Sequence, residues 1–191
     1  LLTQIQYPTL NLQEFRNQIQ RLTSKIWLQM GNQMQDIEKL CVINKQLYGL
    51  EHFNGNYKDP EKPESNYLSQ LLETKKGNSL SLSAFYYAIA KELGIALQVV
   101  NFMGYYALRY IGKDQHFYID AYNKGIFFTP LQVQQFLQKL EAEPNVNNYK
   151  PLSNIYIILN LIQVLIENYH ENGQPQKAAV FEQLLKDIEI R

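Results

Sequence analysis

Residues 77–120 read GNSLSLSAFYYAIAKELGIALQVVNFMGYYALRYIGKDQHFYID and carry the strongest secondary-structure signal in the chain. From Ser79 to Leu93 the apolar residues recur with a period of about 3.6, and Gly94 supplies a C-terminal stop, so this part predicts a helix. Three runs of β-forming residues follow, separated by short turns, at 96–102, 105–111 and 115–121. They predict an antiparallel meander packed on the helix.

The sequence before this stretch is mainly helical. Apolar residues at helical spacing predict one helix over about 11–30 and a second one over about 34–50, which we expect to form an antiparallel pair. Residues 53–63 are rich in glycine, asparagine and proline, which indicates a long ordered loop. A short helix over about 65–74 then ends at Gly77.

The C-terminal part is also predicted to be helical. Residues 126–128 extend the sheet, and a helix over about 130–140 follows, with proline at its first position. Beyond a polar spacer, apolar stripes over about 152–170 and 175–189 predict an αα-hairpin. This hairpin resembles one tetratricopeptide-type helix pair, although an ordinary helical hairpin explains the pattern equally well.

Together these elements predict an α+β fold in which a helix packs on a small antiparallel sheet. N-terminal helices precede this core and the αα-hairpin follows it. We divide the chain into a first domain at 1–142, which includes the N-terminal helical pair, and a second at 143–191, which comprises the spacer and the hairpin.

The composition excludes several classes of function. Lysine plus arginine equal aspartate plus glutamate at 18 each, so no net field favours nucleic acid or an anionic membrane. No apolar run approaches the roughly 20 residues that span a bilayer. A single cysteine, Cys41, excludes an internal disulfide and is typical of a reducing compartment. We therefore expect a cytoplasmic protein that binds neither nucleic acid nor membrane. Because the chain starts at Leu1 rather than methionine, a removed leader stays open. The sequence does not determine the oligomeric state.

The start of the central helix is a favourable place for a nucleophile. Unpaired amide groups and the helix dipole stabilise a thiolate or an oxyanion there. A histidine on one strand and an aspartate on the next would complete a nucleophile-base-acid triad. In this chain the helix begins with Ser79, and the neighbouring strands offer Tyr105 and Asp120.

A series of short motifs runs through the chain: His52-Phe53-Asn54-Gly55-Asn56, Tyr57-Lys58-Asp59-Pro60, Ser65-Asn66-Tyr67-Leu68, Gly77-Asn78-Ser79-Leu80-Ser81-Leu82, Ala90-Lys91-Glu92-Leu93-Gly94-Ile95, Leu108-Arg109-Tyr110 and Tyr118-Ile119-Asp120-Ala121-Tyr122-Asn123-Lys124-Gly125. In order and spacing they are similar to the motifs of the bacterial SirB-type transglutaminase-like proteins, and the resemblance covers most of the chain. It implies a transglutaminase-like (cysteine-proteinase-like) core with a C-terminal tetratricopeptide-like region.

The resemblance also implies a degenerate catalytic site. Counting back from Gly94 to the position of the cysteine in active transglutaminase-like enzymes leads to Ser79, and SirB-type relatives commonly have proline there. Those relatives keep Pro-Gly-His-Phe before the Leu-Arg-Tyr motif. This chain has Met103-Gly104-Tyr105-Tyr106 instead, so Tyr105 stands in place of the histidine. Asp120 is the triad position that the chain retains.

A serine hydrolase built on Ser79 is the alternative. A serine hydroxyl needs an adjacent general base at neutral pH, and the phenol of Tyr105, with an ordinary pKa of about 10, is a poor one. In the simpler interpretation Ser79 only caps its helix. His116 shares a strand face with Asp120, but four residues at about 3.3 Å each separate the two by roughly 13 Å, too far for a triad hydrogen bond.

The remaining reactive side chains form no recognisable site. Cys41 lies on a predicted amphipathic helix remote in sequence from Ser79, and buried cysteine usually packs as a small hydrophobe. His52, His116 and His170 have no metal-ligand spacing, and the glycines form no phosphate-binding loop. We therefore predict no metal and no cofactor.

The function predicted from sequence is binding rather than catalysis, in a protein- or peptide-binding or regulatory module with a protein or peptide partner. Tyr105, Tyr106, Arg109 and Asp120 would line the groove, and the 14 tyrosines suit such a surface. Arg109 either binds an anion there or pairs with an acid such as Asp120. The alternative function is a low-activity hydrolase or acyltransferase with Ser79 as nucleophile. A third hypothesis makes the C-terminal hairpin the surface that grips a partner.

Overall fold

A computed structural model of the chain describes residues 2–113, 115–139 and 150–189. Helices pack around an antiparallel sheet, which confirms the α+β class. The helices are α1 (Leu2–Gln6), α2 (Leu12–Trp27), α3 (Asp36–Asn44), α4 (Leu68–Thr74), α5 (Ser79–Glu92), α6 (Pro130–Lys139), α7 (Asn154–Glu171) and α8 (Pro175–Glu189). The strands are β1 (Asn54–Gly55), β2 (Lys76–Gly77), β3 (Leu97–Phe102), β4 (Tyr105–Ile111), β5 (His116–Asp120), β6 (Ile126–Phe128) and β7 (Pro151–Leu152).

The main sheet has the strand order β6-β5-β4-β3-β7, and its neighbouring strands are antiparallel. The predicted meander of β3, β4 and β5 and its extension by β6 are confirmed. Strand β7, which pairs with β3 on the other side, was not predicted. It has only two residues and begins with Pro151, so it is too short to show the alternation that identifies a strand.

Helix α5 is the centre of the fold and confirms the helix predicted from Ser79. The expectation that Ser79 caps it is wrong, because Asn78 is the N-cap. The Asn78 side chain accepts from the Ser81 backbone N–H at 2.9 Å, and Ser81 Oγ accepts from the Asn78 N–H at 3.0 Å, which forms a reciprocal capping box. The helix buries one face in the main core: Leu82, Phe85, Tyr86, Ile89 and Ala90.

The N-terminal helices agree with the predicted pattern, with one addition. Helix α3 continues as a π-helix over Lys45–Leu50, so the helical segment ends where the sequence places it. Both α2 and α3 contribute residues to the main core, among them Ile26 and Leu40. Helix α1 was not predicted from the sequence.

The segment expected to be a loop contains an element of sheet. Strands β1 and β2 form a parallel pair that joins Asn54 to Lys76 and Gly55 to Gly77. Between them, a 3-10 turn at Pro63–Asn66 precedes α4. The cap residue of α4 is Lys75, in the left-handed conformation with φ of 62°, so this helix ends before Gly77.

The C-terminal αα-hairpin is confirmed as α7 and α8. Ile157 and Leu161 of α7 belong to the main core. The rest of the hairpin forms a second apolar cluster with Tyr67, comprising Ile162, Leu165, Ile166, Tyr169, Ala178 and Phe181. The predicted end of α6 at Leu140, most of the spacer and the domain boundary after residue 142 lie outside the described residues, so the two-domain division stays a prediction.

Candidate functional site

The three triad positions predicted from the sequence meet at one end of the interface between α5 and the sheet. Ser79 is the first residue of α5, Tyr105 begins β4 and Asp120 ends β5. The backbone N–H of Tyr106 donates to Ser79 Oγ at 3.3 Å, and the Ser83 hydroxyl of the next turn donates to the Tyr106 carbonyl at 3.2 Å. These bonds join the start of α5 to the start of β4.

Asp120 accepts hydrogen bonds from four donors. The Tyr105 hydroxyl lies 2.8 Å from both carboxylate oxygens, and the Asn123 side-chain amide donates to Oδ2 at 2.8 Å. The backbone N–H groups of Tyr122 and Asn123 each donate to Oδ1 at 3.1 Å. This carboxylate therefore anchors the turn that follows β5.

Tyr105 cannot serve as a general base in this arrangement. Its hydroxyl donates to Asp120, and its oxygen accepts from the Asn123 amide at 3.0 Å. Burial, followed by the negative charge of Asp120 and the hydrogen bond to it, raises the pKa of Tyr105 well above its ordinary value. Among the described residues, none accepts a hydrogen bond from Ser79 Oγ.

The Tyr105→Phe change should alter how stability depends on alkaline pH. Because the pKa of Tyr105 is raised in the folded state, its stabilising effect is complete below the unfolded pKa of about 10 and is lost as pH rises above it. We expect the free energy of unfolding, measured with urea between pH 8 and 11 by circular dichroism, to fall less steeply above pH 10 in Tyr105→Phe. Tyr156→Phe, at an exposed position, is the control. Equal slopes in wild type and Tyr105→Phe would show that this hydroxyl is not held as described.

Tyr106 fixes helix α7 against β4. Its hydroxyl donates to Asn160 Oδ1 at 2.6 Å and accepts from the Asn101 amide at 3.4 Å. Burial and the charge of Glu167 raise the pKa of Tyr106 to about 12. Tyr106 also lines the cleft described below, and its hydroxyl is occupied by the contact with α7.

Arg109 lies further along β4 and does not line the cleft. Its Nε and Nη2 atoms donate to Gln98 Oε1 at 3.0 and 2.7 Å, across the β3–β4 pair. The expected pairing with Asp120 is therefore wrong. The guanidinium joins two neighbouring strands, which accounts for a charged residue within this sheet.

A cleft of about 300 Å³ opens beside Ser79. This volume lies at the lower end of the roughly 300–1,000 Å³ typical of ligand sites. Tyr105 and Tyr122 form an aromatic wall, with their ring centroids 6.2 Å apart in an edge-to-face arrangement. The residues that line the cleft are Pro60, Glu61, Asn78, Ser79, Leu80, Gly104, Tyr105, Tyr106, Tyr122, Val164 and Asn168.

The motifs that carry the family resemblance meet next to this cleft. The Tyr57 hydroxyl donates to the Tyr122 carbonyl at 3.1 Å, and the Tyr122 hydroxyl donates back to the Asn56 carbonyl at 3.1 Å. The Tyr48 hydroxyl donates to the Ala121 carbonyl at 2.9 Å. Tyr57 and Tyr122 thus hold the loop after β1 to the turn after β5, and Tyr48 holds the π-helix over Lys45–Leu50 to the same turn.

Three residues of the site were missed by sequence reasoning. Tyr122 and Asn123 lie in the turn just beyond the last predicted strand, and their roles depend on contacts with residues distant in sequence. Asn168 is a polar residue on the apolar face of α7, one turn from Leu165, and only 5% of its surface is exposed. A polar residue in a helical apolar stripe was the signal available for it.

A larger cavity lies elsewhere in the described part of the chain. It has a volume of about 740 Å³ and lies between α1, the start of α2 and the C-terminal hairpin, with a mainly apolar lining. Its lining contains no triad position, so we assign the site chemistry to the smaller cleft. The hypothesis that the hairpin grips a partner stays a prediction.

The other reactive groups form no second site. Cys41 is exposed, contrary to the expectation that it packs as a small hydrophobe. Within 2–113, 115–139 and 150–189, no group of three or more His, Cys, Asp or Glu residues is placed to hold a metal ion. Across the same ranges, none of the helices combines the length and the hydropathy needed to cross a bilayer.

Comparison with known proteins agrees with this geometry. The chain is 28% identical to a UPF0162 protein of Xylella fastidiosa (strain Temecula1) over 113 residues, 59% of this chain and 38% of that protein. It is 33% identical to F-box only protein 21 of Mus musculus and of Homo sapiens over 94 residues, 45% of this chain and 15% of those proteins. The chain thus spans less than half the length of these curated relatives, and no solved structure matches it significantly. A family model described as the transglutaminase-like superfamily matches residues 13–163, so the chain belongs to the transglutaminase-like superfamily.

Proposed function

We propose that the protein is a non-catalytic transglutaminase-like protein whose cleft binds a segment of a protein or peptide, as a binding or regulatory module. The observation that carries this proposal is the hydrogen bonding of Tyr105. Tyr105, which stands in the place of the catalytic histidine, donates a hydrogen bond to Asp120 and accepts one from Asn123. Ser79, in the place of the nucleophile, therefore has neither a thiolate nor a base.

The cleft itself supports binding. Tyrosine rings give a large contact area with few rotatable bonds, and here their hydroxyls are held by protein partners. The wall is therefore formed before a ligand arrives, so little conformational entropy is lost on binding. A short extended peptide, with backbone amides and one or two side chains, fits a cleft of about 300 Å³.

The SirB-type affiliation, the tetratricopeptide-like character of the hairpin and a cytoplasmic location belong to the same proposal. The similarity to bacterial UPF0162 proteins supports the first of these. The geometry of α7 and α8, two helices joined by a tight turn with Gly173 at φ of 68°, supports the second.

The competing function is a low-activity hydrolase or acyltransferase that uses Ser79. The observation in its favour is that Ser79 lines the cleft at the N-terminus of α5, where an oxyanion would be stabilised. Such an enzyme needs a base within about 3.2 Å of Ser79 Oγ. The contact that Ser79 Oγ makes is the N–H of Tyr106, which is a donor.

Filling the cleft should abolish peptide binding. We would select peptides from a random heptapeptide phage library on the wild-type protein and measure their affinity for Ser79→Trp and Ser79→Ala by fluorescence polarisation. We expect Ser79→Ala to bind as the wild type does and Ser79→Trp to lose at least tenfold in affinity, because the indole occupies the space beside Tyr105.

Gln20→Trp, which adds the same side chain at an exposed position on α2, should leave the affinity unchanged. Enrichment of no peptide, or equal binding by Ser79→Trp and the wild type, would contradict a binding function for this cleft.

A further inference from the structure

A row of aromatic rings forms the wall of the cleft and continues on both sides of it. Beyond Tyr122, the Tyr57 ring lies 4.9 Å away between centroids, at 72° to it. Beyond Tyr105, the Phe136 ring lies 6.5 Å away. Tyr57 and Phe136 are exposed, and Tyr105 and Tyr122 are partly exposed. Because the face of an aromatic ring is partly negative, such a wall attracts cations as well as apolar groups.

The two rings inside the cleft are held in position. The Tyr122 ring packs against the backbone of Gly55, where an added Cβ atom would lie 2.8 Å from Tyr122 Cε2. Its hydroxyl donates to the Asn56 carbonyl at 3.1 Å. The Tyr105 ring is fixed by the hydrogen bond from its hydroxyl to Asp120. A flat group that lies against these rings therefore meets a wall that does not have to rearrange.

The lining of the cleft carries a single, negative charge. Glu61 is the one charged residue among the described residues that line it. Its backbone carbonyl accepts from the Asn172 amide, but its carboxylate has no hydrogen bond or ion pair within the described ranges. Burial raises the pKa of Tyr122, and the charges of Tyr57, Glu61 and Asp120 raise it further, so the Glu61 carboxylate acts on the aromatic wall.

The other charges that act on the cleft have the same sign. After burial, the charge of Asp120 raises the pKa of Tyr105, and that of Glu167 raises the pKa of Tyr106. No lysine or arginine is among the described lining residues to compensate them. The charge of the cleft is therefore complementary to a cationic ligand and repels an anionic one.

Of the two cationic side chains, arginine fits this cleft better than lysine. A guanidinium is planar, stacks on aromatic faces and offers a fork of N–H groups that binds a carboxylate in two places. It is also more weakly hydrated than an ammonium, so it loses less on contact with apolar lining residues such as Leu80 and Val164.

We propose that the peptide bound in the cleft presents an arginine whose guanidinium stacks against the rings of Tyr105 and Tyr122 and forms an ion pair with Glu61. This inference rests on the proposed binding function and names the side chain that the site selects. It also gives the loop after β1, which contains Glu61, a direct part in recognition.

Four matched peptides can test this selectivity by nuclear magnetic resonance titration. They have the form N-acetyl-glycyl-X-glycine amide, where X is arginine, lysine, glutamate or citrulline, the neutral analogue of arginine. We expect the arginine peptide to shift the amide signals of Glu61, Tyr105 and Tyr122 and to bind about fivefold more tightly than the citrulline peptide, with the glutamate peptide weakest. Binding of the lysine or citrulline peptide at least as tight as that of the arginine peptide would overturn the proposal.

The contact with the rings has its own signature. Protons above the face of an aromatic ring resonate upfield, so the δ-methylene protons of the arginine peptide should move upfield on binding. Their failure to move upfield when the peptide is bound would contradict stacking on Tyr105 and Tyr122.

The Glu61→Gln variant tests the ion pair, because it removes the charge and keeps the shape of an exposed side chain. It should weaken the arginine peptide by about fourfold and leave the citrulline peptide unchanged. Glu92→Gln is the matched control, since Glu92 ends α5 about 20 Å along the helix from Ser79. Equal affinity of the wild type and Glu61→Gln for the arginine peptide would overturn the proposal.

The heptapeptides selected on the wild type separate this inference from the proposed function. The inference predicts that arginine is enriched among them and that they bind Glu61→Gln more weakly. If they bind Glu61→Gln normally but not Ser79→Trp, the cleft binds peptides and only the selection of arginine is wrong. If they bind Ser79→Trp normally, the proposed function itself fails.

Discussion

Replacing Asp120 with alanine is expected to lower the free energy of unfolding by about 3 kcal/mol, in a range typical of broken buried networks. The change removes the acceptor of four hydrogen bonds, leaves the Tyr105 hydroxyl proton without an acceptor, and takes from the Asn123 side-chain amide one of its two acceptors. Hydrogen bonds to charged groups are each worth about 1.5–3 kcal/mol. Asp120 is partly exposed, so water replaces some of them and the total stays well below the sum.

Urea unfolding followed by circular dichroism measures this loss directly. Asp120→Asn, which keeps the shape and one acceptor oxygen, should lose roughly half as much. Asp187→Ala, on the exposed side of α8, is the control and should change the stability by less than about 0.5 kcal/mol. If the free energy of unfolding of Asp120→Ala also stayed within about 0.5 kcal/mol of the wild-type value, the aspartate would not be the anchor of its turn.

The Gly125→Ala change is expected to cost a similar amount, about 3 kcal/mol, for two separate reasons. Gly125 has φ of 70°, where an alanine is strained. A Cβ atom at this position would also collide with the side chain of Asn44. Asn44 donates to the Gly125 carbonyl at 2.8 Å and accepts from the buried Tyr86 hydroxyl at 2.9 Å, so its displacement breaks two hydrogen bonds.

Gly173→Ala isolates the first of these reasons. Gly173 has φ of 68°, but no atom lies within 4 Å of an added Cβ, so only the backbone strain of about 1 kcal/mol applies. The comparison by urea unfolding therefore separates strain from collision. If Gly125→Ala and Gly173→Ala lowered the free energy of unfolding equally, the Asn44 side chain would move aside without a loss of stability.

These two expectations give Asp120 a structural role that does not depend on catalysis. Asp120 and Gly125 define the turn after β5, and Tyr122 in this turn forms one wall of the cleft. Because the Gly125 N–H donates to the Asp120 carbonyl at 2.8 Å, the two residues close the turn from both ends. Asp120 is needed for the shape of the cleft even when no base requires orientation.

The core of the fold was predictable because its elements have regular periods. Helix α5 shows a clear 3.6-residue stripe, and β3, β4 and β5 are long β-rich runs between obvious turns. The parallel pair of β1 and β2 and the edge strand β7 were not predictable, since each has two residues and depends on a partner distant in sequence. The N-cap was misassigned because Asn78 and Ser79 are both good cap residues and only the geometry separates them.

The candidate site was only partly predictable. Ser79, Tyr105 and Asp120 came from motif spacing, and the structure brings them to one end of the sheet. The predicted contact between Arg109 and Asp120 was wrong. Alternation along β4 defines the strand face of Arg109 but not which neighbouring side chain it reaches, and in the structure this is Gln98. Asn168 was missed because its role depends on how α7 packs, across contacts such as Tyr106 to Asn160.

The central claim is that Ser79 and Tyr105 line a binding cleft, that Asp120 holds its wall in place without lining it, and that the three positions do not form a catalytic site. The most direct measurement is the rate at which purified wild-type protein and Ser79→Ala hydrolyse fluorescein-labelled casein and incorporate dansylcadaverine into casein. We predict that both proteins give the background rate in both assays. A wild-type rate above background that Ser79→Ala abolishes would contradict the account.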